Sequence, residues 1–408
     1  MAPTVCGAHL QAECADCQYE FVAQVNEDAS ATLVCPNCGY PKIGVADAAV
    51  QPAEKVALKP FASFPRRWEV VGFELDDEAE TKTAIKRIVG LPGENVEIKD
   101  GDLYVNGNVL RKSWALQKQV RIPVFDSQFN AIPPFDNSAR FRSVSSKSSW
   151  RVNGSVFKMH APMSSPDWLD YTHWRNCKRQ GERNAAFPIC DNYGFNQQST
   201  RELQPTDDLM IQLDAEFDVN SNLNFAFRRD HVEFVFEIAR LEEEFTIAWQ
   251  GETDRKPLVY KSRVEDEQGK AKGREVPKVS SRCVVEFSSF DRTLMLRVNR
   301  TPVFEIREGE SASSKPAESV FPEDDSSIFR IGGSRGSFKI DRTRIWRDIH
   351  YLTGPAHIAN PDVLELSAGD DEYLLLGDNS PKSLDSRTWK KPGINRAKLI
   401  GRVESLAN

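Results

Sequence analysis

Lys86 and Arg87 stand at the head of a short β-branched apolar run, Ile88-Val89, which ends in a turn built from Gly90, Pro92 and Gly93. The spacing predicts a strand whose first residues are cationic. It runs into a turn where glycine supplies backbone freedom and proline fixes φ. A lysine held against buried β-branched side chains is disfavoured as a cation. Its pKa falls, and the neutral amine can act as a general base; Ile88, Val89 and Leu91 are the residues that would provide the burial. On local pattern alone, an ordinary surface Lys-Arg pair at a strand end is the simpler reading.

A second cluster has metal-ligand spacing. Cys14-Ala15-Asp16-Cys17 and Cys35-Pro36-Asn37-Cys38-Gly39 are two Cys-x-x-Cys knuckles joined by a short β-like segment. Two residues between thiolates let both sulfurs reach one tetrahedral ion, and Gly39 permits the turn that aims backbone amides at sulfur. This spacing predicts a zinc ribbon with Cys14, Cys17, Cys35 and Cys38 as ligands of a structural, non-catalytic zinc. The other reading is a pair of redox dithiols or disulfides. Cys6 and His9 lie nearby as bystanders, because four thiolates already fill the shell.

A third stretch is Gly377-Asp378-Asn379-Ser380-Pro381-Lys382-Ser383-Leu384-Asp385-Ser386-Arg387. It follows the apolar strand 372–376. Such density of hydrogen-bonding groups directly after a buried strand suggests the scaffold of a site, against the plainer reading of a surface turn.

The elements that must position these groups are mostly strands. Trp68–Phe73 is a strand candidate, and Asp76–Glu80 reads as a solvated acidic turn. Asn95–Ile98 and Leu103–Val109 frame a hairpin about Asp100-Gly101, and Asn106-Gly107 is a further turn. Residues 44–60 read as a linker leading into a strand. From about 113 to 350, apolar residues alternate over long runs: Leu209–Phe217, Leu223–Phe227, Val232–Ile238, Cys283–Phe287, Leu294–Val298 and, after an Asn299-Arg300 turn, Val303-Phe304. Period-2 hydrophobicity with turns at this spacing predicts a β-sandwich. It resembles concanavalin-like or laminin-G jelly rolls in architecture alone. The hydrophilic stretches 250–282 and 308–327 read as loops, and 399–403 as a closing strand.

Together, two of these motifs resemble the bacterial signal peptidase I family. Lys86 to Glu94 matches its Lys-Arg-x-x-Gly-Leu-Pro-Gly-Asp/Glu box. Gly377 to Arg387 matches its Gly-Asp-Asn-x-x-x-Ser-x-Asp-Ser-Arg box at every defined position. The resemblance covers roughly 55–112 and 350–408. It implies a serine endopeptidase in which a Ser-Lys dyad replaces the Ser-His-Asp arrangement. Lys86 would be the general base and Ser383 the residue that orients its ammonium. Asp378, Asp385 and Arg387 would form an ion-pair network, with Arg87 joining it. Substrates would be exported preproteins with small residues before the scissile bond.

The family's nucleophile box reads Ser-Met-x-Pro-Thr, and this chain begins Met1-Ala2-Pro3-Thr4. Met1, Pro3 and Thr4 are therefore expected to be the remainder of that box, with the nucleophilic serine and a membrane anchor preceding Met1. The full-length protein would then be membrane-associated, its catalytic domain on the outer face of the cytoplasmic membrane, while the chain itself reads as soluble. Phe61, Phe64 and Trp68 could form an apolar edge toward the membrane surface, or could equally be core.

The fold class expected is mainly β: a signal peptidase-like fold interrupted by a zinc ribbon and a large jelly-roll-like sandwich. The corresponding divisions are 1–43 (box remnant and ribbon), 44–112 (peptidase core, first part), 113–350 (sandwich) and 351–408 (peptidase core, second part). A chain of 408 residues accommodates these, and 40% hydrophobic with 28% charged residues is ordinary for a globular protein. A net charge of −7 argues against a nucleic-acid partner. No window approaches the roughly 18 apolar residues of a membrane-spanning helix. Two other readings stay open: a non-catalytic descendant in which ribbon and lectin-like sandwich bind partners, and a ribbon serving as a docking module.

Overall fold

The computed structural model describes residues 1–25, 28, 30–76, 81–161, 165–174, 183–197, 201–229, 232–240, 245–250, 264–265, 271–272, 282–307, 320–321, 327–355 and 361–404. Of the acidic turn expected at 76–80, Asp76 ends a strand and 77–80 lie outside these residues, as do most of the two loops expected at 250–282 and 308–327, and Cys177. The protein is mainly β with insertions, as the alternating patterns predict.

A six-stranded antiparallel sheet carries the two long motifs. Its order is Gly393–Asn395, Glu372–Leu376, Thr81–Gly90, Val70–Asp76, Leu399–Glu404 and Ala57–Lys59. Strands from before and after the long central segment are interleaved here. The fold therefore closes only when residues some 290 apart in sequence meet, as Leu376 does opposite Arg87. Val71, Phe73, Ile88, Tyr373 and Leu375 are completely buried on one side of this sheet, and Val89, Leu374 and Leu376 join a second apolar cluster. A four-stranded sheet adjoins it: Asn108–Val109, Asp102–Val105, Asn95–Lys99, Val363–Ser367. Its turns are the expected ones. Asp100 and Gly101, and Asn106 and Gly107, all take left-handed φ, which a tight two-residue hairpin turn requires.

The central segment forms two facing sheets around one large core. One sheet runs through Arg151–Asn153, Val156–Ala161, Gly336–Arg347, Leu209–Phe217, Arg282–Ser288, Thr293–Val298 and Thr301–Arg307. The other runs through Phe141–Ser143, Asp167–Tyr171, Phe329–Ser334, Asn222–Arg229, Val232–Arg240 and Phe245–Gln250. Phe225, Phe227, Phe287 and Phe329 meet between them, as alternation of apolar residues demands.

Several expectations need correction. Lys86 lies within the ten-residue strand Thr81–Gly90, not at its head. The strand expected from Trp68 begins at Val70, because Trp68 itself has φ +72°. Residues 44–60 are no free linker. Ala49–Gln51 pairs with His9–Glu13 and Ala57–Lys59 with the last strand, so short apolar alternation among prolines was sheet edge. The segment after residue 113 opens with a helix, Trp114–Val120, capped by the Ser113 hydroxyl, before its strands begin. Leu91 is only half-buried, while Ile88 and Val89 are fully buried, and the buried Val71 lies directly across the sheet from Lys86. Of the three candidate membrane-edge aromatics only Phe64 is exposed, with the Arg396 guanidinium 3.9 Å from its ring. Phe61 and Trp68 pack against core clusters.

Candidate active site

The Thr81–Gly90 strand presents Lys86 and Arg87 toward opposite faces, as successive strand residues must be. Arg87 is buried and meets Asp378 in a two-pronged pair, Nε to Oδ1 at 2.8 Å and Nη2 to Oδ2 at 2.7 Å. Its Nη1 donates to the Trp68 carbonyl at 2.9 Å, which the left-handed turn at Trp68 aims inward. Thr4 completes the group: its hydroxyl donates to Asp378 Oδ2 and accepts from Arg87 Nη2 at 3.2 Å. A buried ion pair is tolerable only with its remaining polar atoms bonded, and Thr4 and the Trp68 carbonyl do that here.

Lys86 is half-buried. Its pKa is lowered, first by desolvation, with the positive charge of Arg387 adding to the effect; Asp385 and Asp378 oppose it. Among the described residues its Nζ makes no hydrogen bond or ion pair. Ser383 faces it across Gly377. A Cβ built on Gly377 would stand 3.4 Å from Lys86 Nζ and 2.7 Å from Ser383 Cβ, so a glycine is what lets the two side chains approach. The Ser383 hydroxyl is buried and has no hydrogen-bond partner, and no hydrogen bond joins it to Lys86. The Met1 amino group is within reach of the Lys86 and Asp378 charges. Burial lowers its pKa first and the Lys86 charge second, while Asp378 raises it.

The loop from Gly377 to Arg387 is rigidly built. Asp385 Oδ2 accepts the Gly377 amide at 3.0 Å, and Arg387 grips Asp385 through Nε and Nη2, both at 2.8 Å. Arg387 also reaches the Leu352 carbonyl and Ser380 Oγ, each at 2.8 Å. Ser386 accepts the Leu375 amide and donates to the Pro392 carbonyl. The expected single ion-pair network is thus two separate pairs. Arg87–Asp378 reaches Thr4 in the N-terminal segment, and Asp385–Arg387 holds the loop. Met1, Thr4, Lys86, Arg87, Asp378, Ser383, Asp385 and Arg387 all come together; Pro3 follows Ala2 through a cis peptide bond and lines the cleft beside Thr4.

Sequence reasoning missed groups that hold the N-terminal residues and the 377–387 loop in place. Tyr193 donates its hydroxyl to the Ala2 carbonyl at 3.1 Å, and Ser380 Oγ accepts the Leu352 amide. Tyr193 lies in an irregular segment with no local pattern to mark it. A cleft of about 1220 Å³ opens beside Thr4 and Arg87, lined also by Trp68, Glu54, Leu116 and Arg402.

The four knuckle cysteines lie together, away from these groups. Cys14 and Cys38 sulfurs are 3.6 Å apart and Cys17 and Cys35 sulfurs 3.7 Å, far too long for disulfides and close to the ~3.8 Å edge of a tetrahedron with 2.3 Å metal–sulfur bonds. The knuckles are alike in backbone. Cys14 N–H bonds Tyr19 O and Cys35 N–H bonds Tyr40 O, and each knuckle ends in a left-handed residue, Gln18 and Gly39. The four thiols can hold a metal ion. The second knuckle is also gripped from outside: Arg140 donates to the Asn37 carbonyl, Arg183 donates to the Cys38 carbonyl and pairs with Asp16, and the Asn37 side chain bonds Asp126 and Phe129.

The sequence matches the family model described as "Signal peptidase, peptidase S26" over residues 41–160, less than a third of the chain. It is also similar to "Probable signal peptidase I-2" of Synechocystis sp. (strain ATCC 27184 / PCC 6803 / Kazusa), with 41% identity over 54 residues. That alignment takes in 12% of this chain and spans a quarter, 25%, of the relative. Among solved structures, the laminarinase catalytic domain from Thermotoga maritima MSB8 is similar at TM-score 0.33 and 9% identity, over 56% of this chain and 99% of that one. The Emp47p carbohydrate recognition domain gives 0.28 and 10%, over 56% and 96%. Likeness at these scores carries no inference about ligand or activity. The sequence matches support a peptidase S26 relationship for the stretch that contains Lys86 and Arg87.

Proposed function

We propose that this protein is a signal peptidase I-like serine endopeptidase of the Ser-Lys type, with 44–112 and 351–408 as its peptidase core. Lys86 is the general base, Ser383 orients its amine, and the nucleophile is a serine hydroxyl on a residue joined to the Met1 nitrogen. The observation that carries the reading is the approach of the half-buried Lys86 amine and the buried, unpartnered Ser383 hydroxyl to one another beside Gly377, with the Met1 amino group near enough to feel the Lys86 charge. A lowered lysine pKa supplies the neutral amine the chemistry needs.

In the reaction, the serine oxygen attacks the scissile carbonyl and its proton passes to Lys86 Nζ. The tetrahedral intermediate collapses to an acyl-enzyme as Lys86 returns the proton to the leaving amine. Water, deprotonated by Lys86, then releases the acid and regenerates the serine. Arg87, Asp378 and Thr4 fix the backbone that carries the nucleophile, and Asp385 with Arg387 fixes the loop that carries Ser383. Substrates are exported preproteins with small residues before the cut, met at the membrane surface. No helix of the described residues is long and apolar enough to cross a membrane. The four ribbon thiolates hold a structural zinc, whose tetrahedral preference matches the sulfur spacing.

The test is a chain with serine joined to Met1, compared with the same chain carrying alanine there and with a Lys86→Ala variant of the serine form. Cleavage of a preprotein by the serine form alone is expected. Equal cleavage by all three, or none by any, would reject the reading.

A further inference from the structure

Lys112 is the residue at which the chain leaves the four-stranded sheet for the central segment, and Asp348 is where it comes back. Both are buried. The Lys112 ammonium bridges Asp291 and Asp348, the latter at 2.7 Å, and the Lys112 amide donates to Asp291 Oδ2 at 2.9 Å. Asp291 sits in the turn Phe290–Arg292 with φ 51° and ψ 44°, and its amide donates to Asp208 Oδ2. One cation therefore ties together the exit of the chain, its return, and a turn of the sandwich.

The same ammonium lies 5.1 Å from the centre of the Trp68 ring. Trp68 is in the left-handed region, where a large side chain is held only if its surroundings over-determine it. Its carbonyl accepts Arg87 Nη1, its amide bonds the Ile88 carbonyl, and the Ile88 amide bonds the Glu69 carbonyl. Tyr351 belongs to the same apolar cluster as Trp68, and its hydroxyl is buried without a hydrogen-bond partner, in the combined field of Asp378, Arg87, Lys112 and Asp348. From the sandwich to Thr4 there is thus an unbroken path of contacts: Asp291, Lys112, Trp68, Arg87, Asp378, Thr4.

We propose that Lys112 is a positioning residue through which the sandwich holds the Trp68 turn, and with it the Arg87–Asp378–Thr4 group, in place. The sandwich then acts on the candidate site as a brace. Lys112 touches no reacting atom. Its part is to keep the Trp68 ring covered and the Trp68 carbonyl aimed at Arg87. The inference rests on the peptidase reading only for its consequence in turnover, since the brace itself is a matter of structure.

The experiment is amide hydrogen exchange on the full chain, resolved to segments, for Lys112→Met, Asp291→Asn and Lys112→Arg. Exchange at the Trp68 and Ile88 amides should quicken at least tenfold in Lys112→Met, less in Asp291→Asn, and least in Lys112→Arg. The ribbon amides of Cys14 and Cys35 should not change. Unchanged exchange at Trp68 and Ile88, or equal quickening everywhere, would overturn the proposal. In the serine-joined chain, Lys112→Met should lower kcat at least tenfold with KM within twofold. Loss of KM alone would also overturn it. If the unmutated serine-joined chain cuts no preprotein, the peptidase reading falls, while the exchange result still decides the brace.

Discussion

Gly377 lies between Lys86 and Ser383 so closely that a Cβ on it would stand 3.4 Å from the Lys86 nitrogen and 2.7 Å from Ser383 Cβ. The absence of a side chain at this point is what allows a half-buried amine and a buried hydroxyl to share one space. Gly377→Ala should therefore displace Ser383 and reduce preprotein cleavage by the serine-joined chain at least a hundredfold. The overpacking cost to stability should be about 1–3 kcal/mol. Rates within threefold of the parent would show that Ser383 has no part in orienting Lys86.

The Lys86 pKa is lowered by burial, so the acid limb of kcat/KM should fall below the ordinary lysine value of about 10.4. The sign for stability follows from the same shift. Below the folded-state pKa, both folded and unfolded chains carry the proton, but the folded one is penalised for it. Above the unfolded pKa the penalty is gone. Lys86→Met should accordingly stabilise the protein at pH 7 more than at pH 11, read by urea denaturation at both. Equal effects at the two pH values would contradict the desolvation of Lys86.

Arg87→Met leaves the Asp378 carboxylate buried with Thr4 as its remaining side-chain partner. Removing one member of such a pair costs about 3–5 kcal/mol. Thr4→Val should cost about 1 kcal/mol, the scale of one hydrogen bond. Thermal denaturation of the two variants should rank them in this order, and the reverse order would show that Arg87 and Asp378 are not the anchor.

Metal in the ribbon should be present at one ion per chain and absent from Cys14→Ser, by elemental analysis of protein purified without added metal. Because Asn37 and Cys38 carry carbonyls that Arg140 and Arg183 bind, chelation should loosen more than the ribbon. Exchange at the Thr172 amide, which bonds the Arg140 carbonyl, should rise at least threefold. Unaltered metal content in Cys14→Ser would exclude this site.

Asp102 sits beside Asp208 and Asp291, and burial first, then those two charges, push its pKa up to about 8. Its folded-state pKa thus lies above the unfolded carboxylate value of about 3.9. The stability this contributes is complete below that value and is lost as pH rises through 8, at up to about 1.4 kcal/mol per pH unit. Asp102→Asn should flatten the dependence of stability on pH between 4 and 8. A slope unchanged by the substitution would place the titration elsewhere.

Much of the architecture was legible in sequence because its physics is local. Alternation along Leu209–Phe217 and Asn222–Arg229 makes one strand face apolar, and Asp100-Gly101 and Asn299-Arg300 can hold the left-handed turns that link hairpins. The spacing of Cys14, Cys17, Cys35 and Cys38 already predicts that the four thiols come together. The boundaries failed where tertiary bonds decided them. Trp68 breaks its strand because its carbonyl is bonded by Arg87, and residues 49–59 are strands because the first and last strands offer them edges.

What the sequence determined by itself was therefore the set of reactive groups and the strands that carry them: an amine at 86, a hydroxyl-rich loop at 377–387, four thiols. What only the tertiary structure decided was which of these meet. Arg87 pairs with Asp378 across 291 positions of chain, Thr4 closes the pair, and Lys112 links it to a sandwich turn at 291. No local pattern encodes such meetings. They are set by burial, which makes an unpaired charge costly and so favours a packing in which buried ions such as Arg87 and Lys112 find carboxylate partners.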